Sequence, residues 1–203
     1  MIKINIAVFI SGRGSNLQSI MDAVAKGELP VSLELVVSDN QDAYGLERAN
    51  DAGVAAQFVD PQKFSSAREY EKEIISLLAE KEIKLVCLAG FMRLLSPYFL
   101  ENFTGRVMNI HPSLLPSFRG LHAQKQAVDY GVKVSGCTVH FVDEGMDTGP
   151  IILQKAVPVY DDDDEDSLAA RILEKEHQIY PRAIKLFAEG SLKQEGRRVI
   201  RQE

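Results

Sequence analysis

The chain is poor in cysteine: its 203 residues include only Cys87 and Cys137. Both sit inside apolar runs, with no second cysteine or histidine at metal-ligand spacing, so neither a disulfide framework nor a zinc site is expected. They read as reduced core thiols of a cytoplasmic protein. No apolar stretch approaches the length that a bilayer span requires. The short apolar run after Lys3 passes into SGRGSN without a small-residue cleavage site, so no signal peptide is expected. A basic excess is missing too, since the net charge is −6, and this argues against a nucleic-acid partner. The acidic run from Asp161 to Asp166 accounts for all of that charge, leaving a balanced surface that can still receive anions. There is no internal repeat and no linker. With 45% hydrophobic residues, the chain has enough apolar surface for one compact domain.

Between Ile4 and Ile110, segments with strand and helix patterns alternate. Strand-like INIAVFI, SLELVVS, QFV, KLVCLAG and RVMNI are separated by helices from about Ser15, from about Tyr44, through REYEKEIISLLAEKE and after Pro97. Such alternation predicts an α/β fold: an open, mostly parallel twisted sheet of Rossmann-like type, with helices on both faces. LVCLA is apolar without alternation, as expected of a strand buried on both sides. After NIHPSLLP the rhythm changes to a short helix near Gln124 to Tyr130 and two long strand-like runs, VSGCTVHFV and IILQKAVPVY. These predict a partly antiparallel C-terminal extension. A final helix is expected from Ser167 to about Glu189, with Ser167 as N-cap and the acidic run as a solvated loop before it. The expected division is a phosphate-binding half over about 1–105, a catalytic half over about 106–190, and a tail over 191–203 whose order is open.

SGRGSNLQ follows the first strand and opens a helix, a position where backbone N–H groups can hold a phosphate. As a GxGxxG pattern it has Leu17 in place of the third glycine, which suits a monophosphate ester better than a dinucleotide. A tight turn that uses glycine only for backbone freedom is the alternative. Asp39, at the end of the second strand, keeps a nucleotide cofactor open because an acid there can bind a ribose.

In RVMNIHPSLLP, period-two geometry places Asn109 and His111 on one face, and Pro112 then stops the ladder. An amide and an imidazole would emerge together at a strand's carboxyl end, where open α/β sheets bind ligands. A lone buried histidine is more often structural; the matched pair is what raises a catalytic reading. Asp147, between Gly145 and Gly149 in DEGMDTGP, could cap its own loop or fold back to His111. In the second case its carboxylate would raise the histidine pKa. His140, in TVHFV, reads as a structural or supporting residue. The acidic run lacks the interleaved pattern of a calcium loop.

SGRGSNLQ, LAGFMRLLSP, NIHPSLLPSFRGLHA and HFVDEGMDTGPIILQ, in this order, closely resemble the phosphoribosylglycinamide formyltransferase branch of the folate-dependent formyltransferases, from about Ile4 to Glu189. The resemblance implies formyl transfer from 10-formyltetrahydrofolate to the amine of glycinamide ribonucleotide in de novo purine biosynthesis, without a metal. It implies Asn109, His111 and Asp147 as catalytic residues, and Gly14, Ser15, Asn16 and Glu176 as ribonucleotide contacts. Folate would meet Met92, Arg93, Leu94, Leu95, Asn109, Asp143, Glu144, Gly145, Met146 and Asp147. Several relatives carry a basic residue where the match here gives Ala67, and the adjacent Arg68 stands in as a candidate for the folate's anionic tail. Small-molecule substrates, no nucleic acid, no membrane, and a monomer or homodimer are expected.

In the implied chemistry, Asn109 and protonated His111 donate to the oxyanion of a tetrahedral intermediate. His111, or a water held by Asp147, passes a proton to the departing folate nitrogen. Three alternatives stay open. Another formyl-tetrahydrofolate enzyme, such as a methionyl-tRNA formyltransferase or a deformylase, would be expected to carry a further domain. A nicotinamide dehydrogenase is favoured by Asp39 and weakened by Leu17, and a noncatalytic phosphate-binding module would leave the Asn109 and His111 pair unexplained.

Overall fold

The computed structural model describes residues 3–202; Glu203, at the end of the expected tail, lies outside them. The chain divides into two units, Met1–Met108 and Asn109–Glu203. The first alternates β1 (Ile4–Ile10), α1 (Ser15–Ala25), β2 (Val31–Ser38), α2 (Tyr44–Asp51), β3 (Ala56–Phe58), α3 (Ala67–Glu80), β4 (Leu85–Leu88) and α4 (Pro97–Asn102). Its strands run in the order β3-β2-β1-β4 with every pairing parallel, as the alternation of strand and helix predicts. Residues 6–10 of β1 are wholly buried, as are Leu85, Val86 and Cys87 of β4. Strands covered on both faces need apolar residues at consecutive positions, and these supply them.

At the carboxyl end of β1 the chain turns through Gly14, the left-handed N-cap of α1 at φ 68°. A Cβ on Gly14 would lie 2.8 Å from the Cα of Gly45, and Gly45 N–H donates to the Gly12 carbonyl at 3.0 Å. Glycine is needed at this crossing for both reasons. Leu17, where a dinucleotide motif would have its third glycine, is fully buried. Asp39 accepts from Ser11 Oγ at 2.5 Å, and that hydroxyl accepts from Met92 N–H at 2.9 Å, so the carboxylate ties three strand ends together.

The strand β5 (Val107–His111) opens the second unit with its last three residues; α5 (Ala123–Tyr130), β6 (Val134–Phe141), β7 (Ile151–Pro158), α6 (Glu165–Ala188), β8 (Leu192–Glu195) and β9 (Arg198–Arg201) follow. The strand order is β5-β6-β7-β9-β8. β6 and β7 are antiparallel, as expected of the extension. Leu168, Ile172, Ile179 and Ala183 form a buried stripe on α6, at spacings that return to one helix face, and α6 packs on β6 and β7. The segment after α6 is a hairpin: β8 and β9 pair antiparallel, and β9 meets β7 at Ile151 and Arg198.

The start of α6 corrects the sequence reading. The N-cap is Asp164, not Ser167. Asp164 Oδ1 accepts from Ser167 N–H at 2.8 Å, and Ser167 Oγ accepts from Asp164 N–H at 3.0 Å. This reciprocal pair satisfies two end groups that a serine cap three residues later would leave open. Nor is the acidic run only a solvated loop. Asp163 holds Arg171 through two bonds, at 2.7 and 2.8 Å, which keep its carboxyl far below the usual carboxylate range, and Arg171 lies 4.4 Å over the Tyr160 ring.

Gly149 closes the loop between β6 and β7. Its Cβ position overlaps the Phe141 carbonyl oxygen, and Phe141 N–H donates across the loop base to the Pro150 carbonyl at 2.9 Å. Gly149→Ala is expected to lower stability by about 1–3 kcal/mol, the usual scale of overpacking, in equilibrium urea unfolding; an unchanged midpoint would show that the loop base opens freely.

Candidate active site

The segment just after His111 is held by hydrogen bonds to β6 and β7 at Ser113 and Leu115. Thr138 Oγ1 donates to the Ser113 carbonyl at 2.6 Å and accepts from Leu115 N–H at 3.1 Å. Gln154 Nε2 donates to the Leu115 carbonyl at 2.9 Å and to Thr138 Oγ1 at 3.0 Å. The end of β5 is thus held after Pro112 has stopped the ladder. Met108 and Ile110 are buried, and Asn109 and His111 share the alternate face.

Asp147 reaches both of them. Its Oδ2 is 3.3 Å from His111 Nδ1 and accepts from Gly120 N–H at 2.9 Å. Its Oδ1 accepts from Asn109 Nδ2 at 3.5 Å and lies 3.7 Å from His140 Nε2, beyond hydrogen-bond length. The Asp147 side chain is 13% exposed. Burial pushes its carboxyl up, but the neighbouring His140 ring, the Gly120 N–H and the His111 ring outweigh it, and the net shift is downward. The backbone at Asp147 is left-handed, with φ 52°, a conformation that costs about 1–3 kcal/mol for a residue with a side chain and so must be held by its surroundings.

His140 takes the supporting role that the sequence suggests, while two backbone groups escape the sequence reading. His140 Nδ1 donates to the Phe141 carbonyl at 2.8 Å, which leaves Nε2 to accept from Asn109 Nδ2 at 3.3 Å; this network assigns the orientation of the Asn109 amide. His140 therefore orients the Asn109 side chain. Its signal in the sequence is its place two residues after Thr138 on the same strand face. The Gly120 N–H and the Phe118 carbonyl carry no side-chain signal at all.

His111 corrects the expected pKa direction. Asp147 does raise it, as does the Phe118 carbonyl, but burial is the larger effect and the net shift is downward. The ring is neutral at rest near pH 7. Its Nε2 lies 2.8 Å from the Phe118 carbonyl, so both nitrogens face acceptors while a neutral ring has only one proton. Protonation would complete both hydrogen bonds, and burial opposes it.

In the first unit, Ser15 and Asn16 open α1, where the first N–H groups have no partner within the helix, and Asn16 is buried. Met92 is 64% and Leu94 74% exposed. Arg93 lies 5.3 Å over the Tyr70 ring and Arg68 4.6 Å over that of Tyr98. In the second unit, Glu176 is buried in α6. Asp143 Oδ1 accepts from Gly145 N–H at 3.2 Å and Thr148 Oγ1 at 2.5 Å, which shapes the loop that carries Asp147. Among the described residues, no group of three or more His, Cys, Asp or Glu could hold a metal ion, and no helix is long and apolar enough to cross a membrane.

A strand-borne amide and imidazole beside a loop carboxylate on an α/β sheet bring together the donors and the proton acceptor that acyl transfer uses. The chain belongs to the formyl transferase family, whose model matches residues 4–184. It is 47% identical over 189 residues to the phosphoribosylglycinamide formyltransferase of Escherichia coli K12, covering 93% of this chain and 89% of that one. It is 49% identical over 189 residues to the trifunctional purine biosynthetic protein adenosine-3 of Drosophila melanogaster; that match covers 92% of this chain but only 14% of the relative's length. The crystal structure of glycinamide ribonucleotide transformylase 1 from Symbiobacterium toebii superposes with a TM-score of 0.97 at 53% identity, covering 99% of this chain and 95% of that one.

The His111 shift sets a pH dependence. Its folded pKa lies below the ordinary 6.5, so as pH falls through 6.5 the unfolded chain takes up the proton first and stability falls. Asp147, lowered from 3.8, contributes stability that is complete above that value and lost only at more acid pH. Between pH 7 and 5, His111→Asn should therefore flatten the decline of the melting temperature; a decline as steep as in the parent protein would refute the assignment.

Proposed function

We propose that this chain transfers the formyl group of 10-formyltetrahydrofolate to the primary amine of glycinamide ribonucleotide in de novo purine biosynthesis, giving formylglycinamide ribonucleotide and tetrahydrofolate. The observation that carries this reading is the convergence of Asn109 and His111 on the nearly buried carboxylate of Asp147, within a family built on formyl transfer.

The amine attacks the formyl carbon, and the carbonyl electrons move to oxygen. A neutral imidazole suits the next step, because the attacking amine must lose a proton as its bond forms. His111 takes that proton, becomes an imidazolium stabilised by Asp147, and returns it to the folate nitrogen as the carbon–nitrogen bond breaks. The oxyanion is an acceptor, and so is the Phe118 carbonyl that faces His111 Nε2 at rest; on this reading one acceptor replaces the other. Asn109 keeps its shorter bond to His140 and turns its 3.5 Å hydrogen from Asp147 to the same oxyanion.

Gly14, Ser15 and Asn16 hold the ribonucleotide phosphate on this reading, and Glu176 contacts the ribonucleotide. Met92, Arg93, Leu94 and Leu95 contact the folate, as do Asp143, Glu144, Gly145, Met146 and Asp147. The exposure of Met92 and Leu94 supports an apolar ligand there, and the stacking of Arg68 on Tyr98 leaves its charge available to an anionic tail. The transfer needs no metal. The enzyme works in the cytoplasm as a monomer or homodimer, on small molecules.

Tetrahydrofolate release is the test, with glycinamide ribonucleotide, methionyl-tRNA and water alone as competing acceptors. Turnover that depends on the ribonucleotide is expected, and its absence would overturn the reading. Loss of an oxyanion-type contribution costs about 10²–10³ in turnover. A fall of that size is expected for His111→Ala and for Asp147→Asn, with circular dichroism unchanged; near-parental turnover in either variant would remove that residue from the mechanism.

A further inference from the structure

The loop between β6 and β7 is held from inside by Asp143, but it also has a contact from well beyond the 4–184 segment that matches the family model. Arg197, at the turn of the β8–β9 hairpin, donates from Nη2 to the Thr148 carbonyl at 2.7 Å. Thr148 directly follows Asp147. It is thus gripped at both ends, by Asp143 on its hydroxyl and by Arg197 on its carbonyl. The next residue of the hairpin, Arg198, pairs with Ile151 of β7, two positions past Gly149, so the hairpin cannot shift without disturbing the strand that ends the loop.

The left-handed backbone of Asp147 makes this contact consequential. Such a conformation relaxes unless the peptides beside it are fixed. On the N-terminal side the loop offers exposed residues, Glu144 to Met146, held through the Gly145 N–H bond to Asp143 at 3.2 Å. A charged donor to a carbonyl is among the stronger hydrogen bonds, and here it acts on the peptide unit immediately after the strained residue.

We propose that Arg197 is a positioning residue for the folate-binding loop: by anchoring the Thr148 carbonyl, the C-terminal hairpin holds the Asp147 loop in the form that receives 10-formyltetrahydrofolate. This rests on the proposed function for the identity of the ligand, but not for the anchoring itself. Arg197 touches no reacting atom and acts through the loop backbone. Its loss therefore weakens folate capture more than it weakens the ribonucleotide.

The test compares Arg197→Ala, Arg197→Lys and, as a control on the same hairpin, Lys193→Ala. Arg197→Ala is expected to raise the KM for 10-formyltetrahydrofolate about three- to tenfold, the range of one net hydrogen bond, with the ribonucleotide KM and melting temperature little changed. Arg197→Lys, which keeps a charged donor, should restore part of the effect, and Lys193→Ala should show none. Hydrogen exchange of the 143–149 amides should quicken in Arg197→Ala without any substrate present. Unchanged exchange and unchanged folate KM would overturn the anchoring. Faster exchange in a protein with no formyl transfer would keep the anchor and reject the proposed function. An equal rise in both KM values would make Arg197 a general structural contact and overturn the assignment.

Discussion

The candidate site depends on keeping one carboxylate charged where little water reaches it. A buried ion loses hydration worth several kcal/mol or more, and only close donors restore it. Asp147 meets this requirement through a backbone N–H from Gly120, an amide from Asn109 and the ring nitrogen Nδ1 of His111. These come from the 120 region and from β5, while the β6–β7 loop carries the carboxylate itself. None of these segments is free to move alone, because moving one leaves a buried charge with fewer donors. The geometry of the whole second unit around the end of β5 follows from that constraint.

The same burial decides the state of His111. A carboxylate beside a histidine ordinarily raises its pKa, yet the enclosure that strengthens the attraction also makes a charged ring costly, and here the cost is the larger effect. The resting ring is left between two acceptors with one proton to share. Arrival of a negative oxygen would change the balance toward imidazolium. A histidine poised in this way can take a proton early in a transfer and return it later, which a permanently charged ring cannot do.

The parallel order of β1 to β4 was legible because alternation and continuous apolar runs are local signals, and the right-handed crossover limits what they can build. The shared face of Asn109 and His111 was legible for the same reason, since strand periodicity is a property of neighbouring residues. The position of Asp147 was not: it depends on a loop of eight or so residues closing through Gly149 and on a left-handed backbone at a residue that gives no local hint of it. The cap of α6 was displaced by three residues because Asp164 and Ser167 are both good caps; only the reciprocal bonds between them decide. The net pKa of His111 was out of reach, because depth of burial is a sum over distant parts of the chain. The Phe118 carbonyl and Gly120 N–H are invisible in any sequence, as every residue has such groups.

This contrast separates two kinds of precision within one site. Asn109 and His111 stand on a strand whose far side is packed in the core and whose end is tied by Thr138 and Gln154, so their positions follow from the sheet. Asp147 stands on a loop and owes its position to hydrogen bonds made to a charged group, each worth about 1.5–3 kcal/mol net. The loop residue therefore keeps its place only while its partners on β5 and at Gly120 keep theirs. On the proposed function, the imidazole that would handle the proton stands on the sheet, and the carboxylate that would stabilise it stands on a loop fixed by its hydrogen bonds.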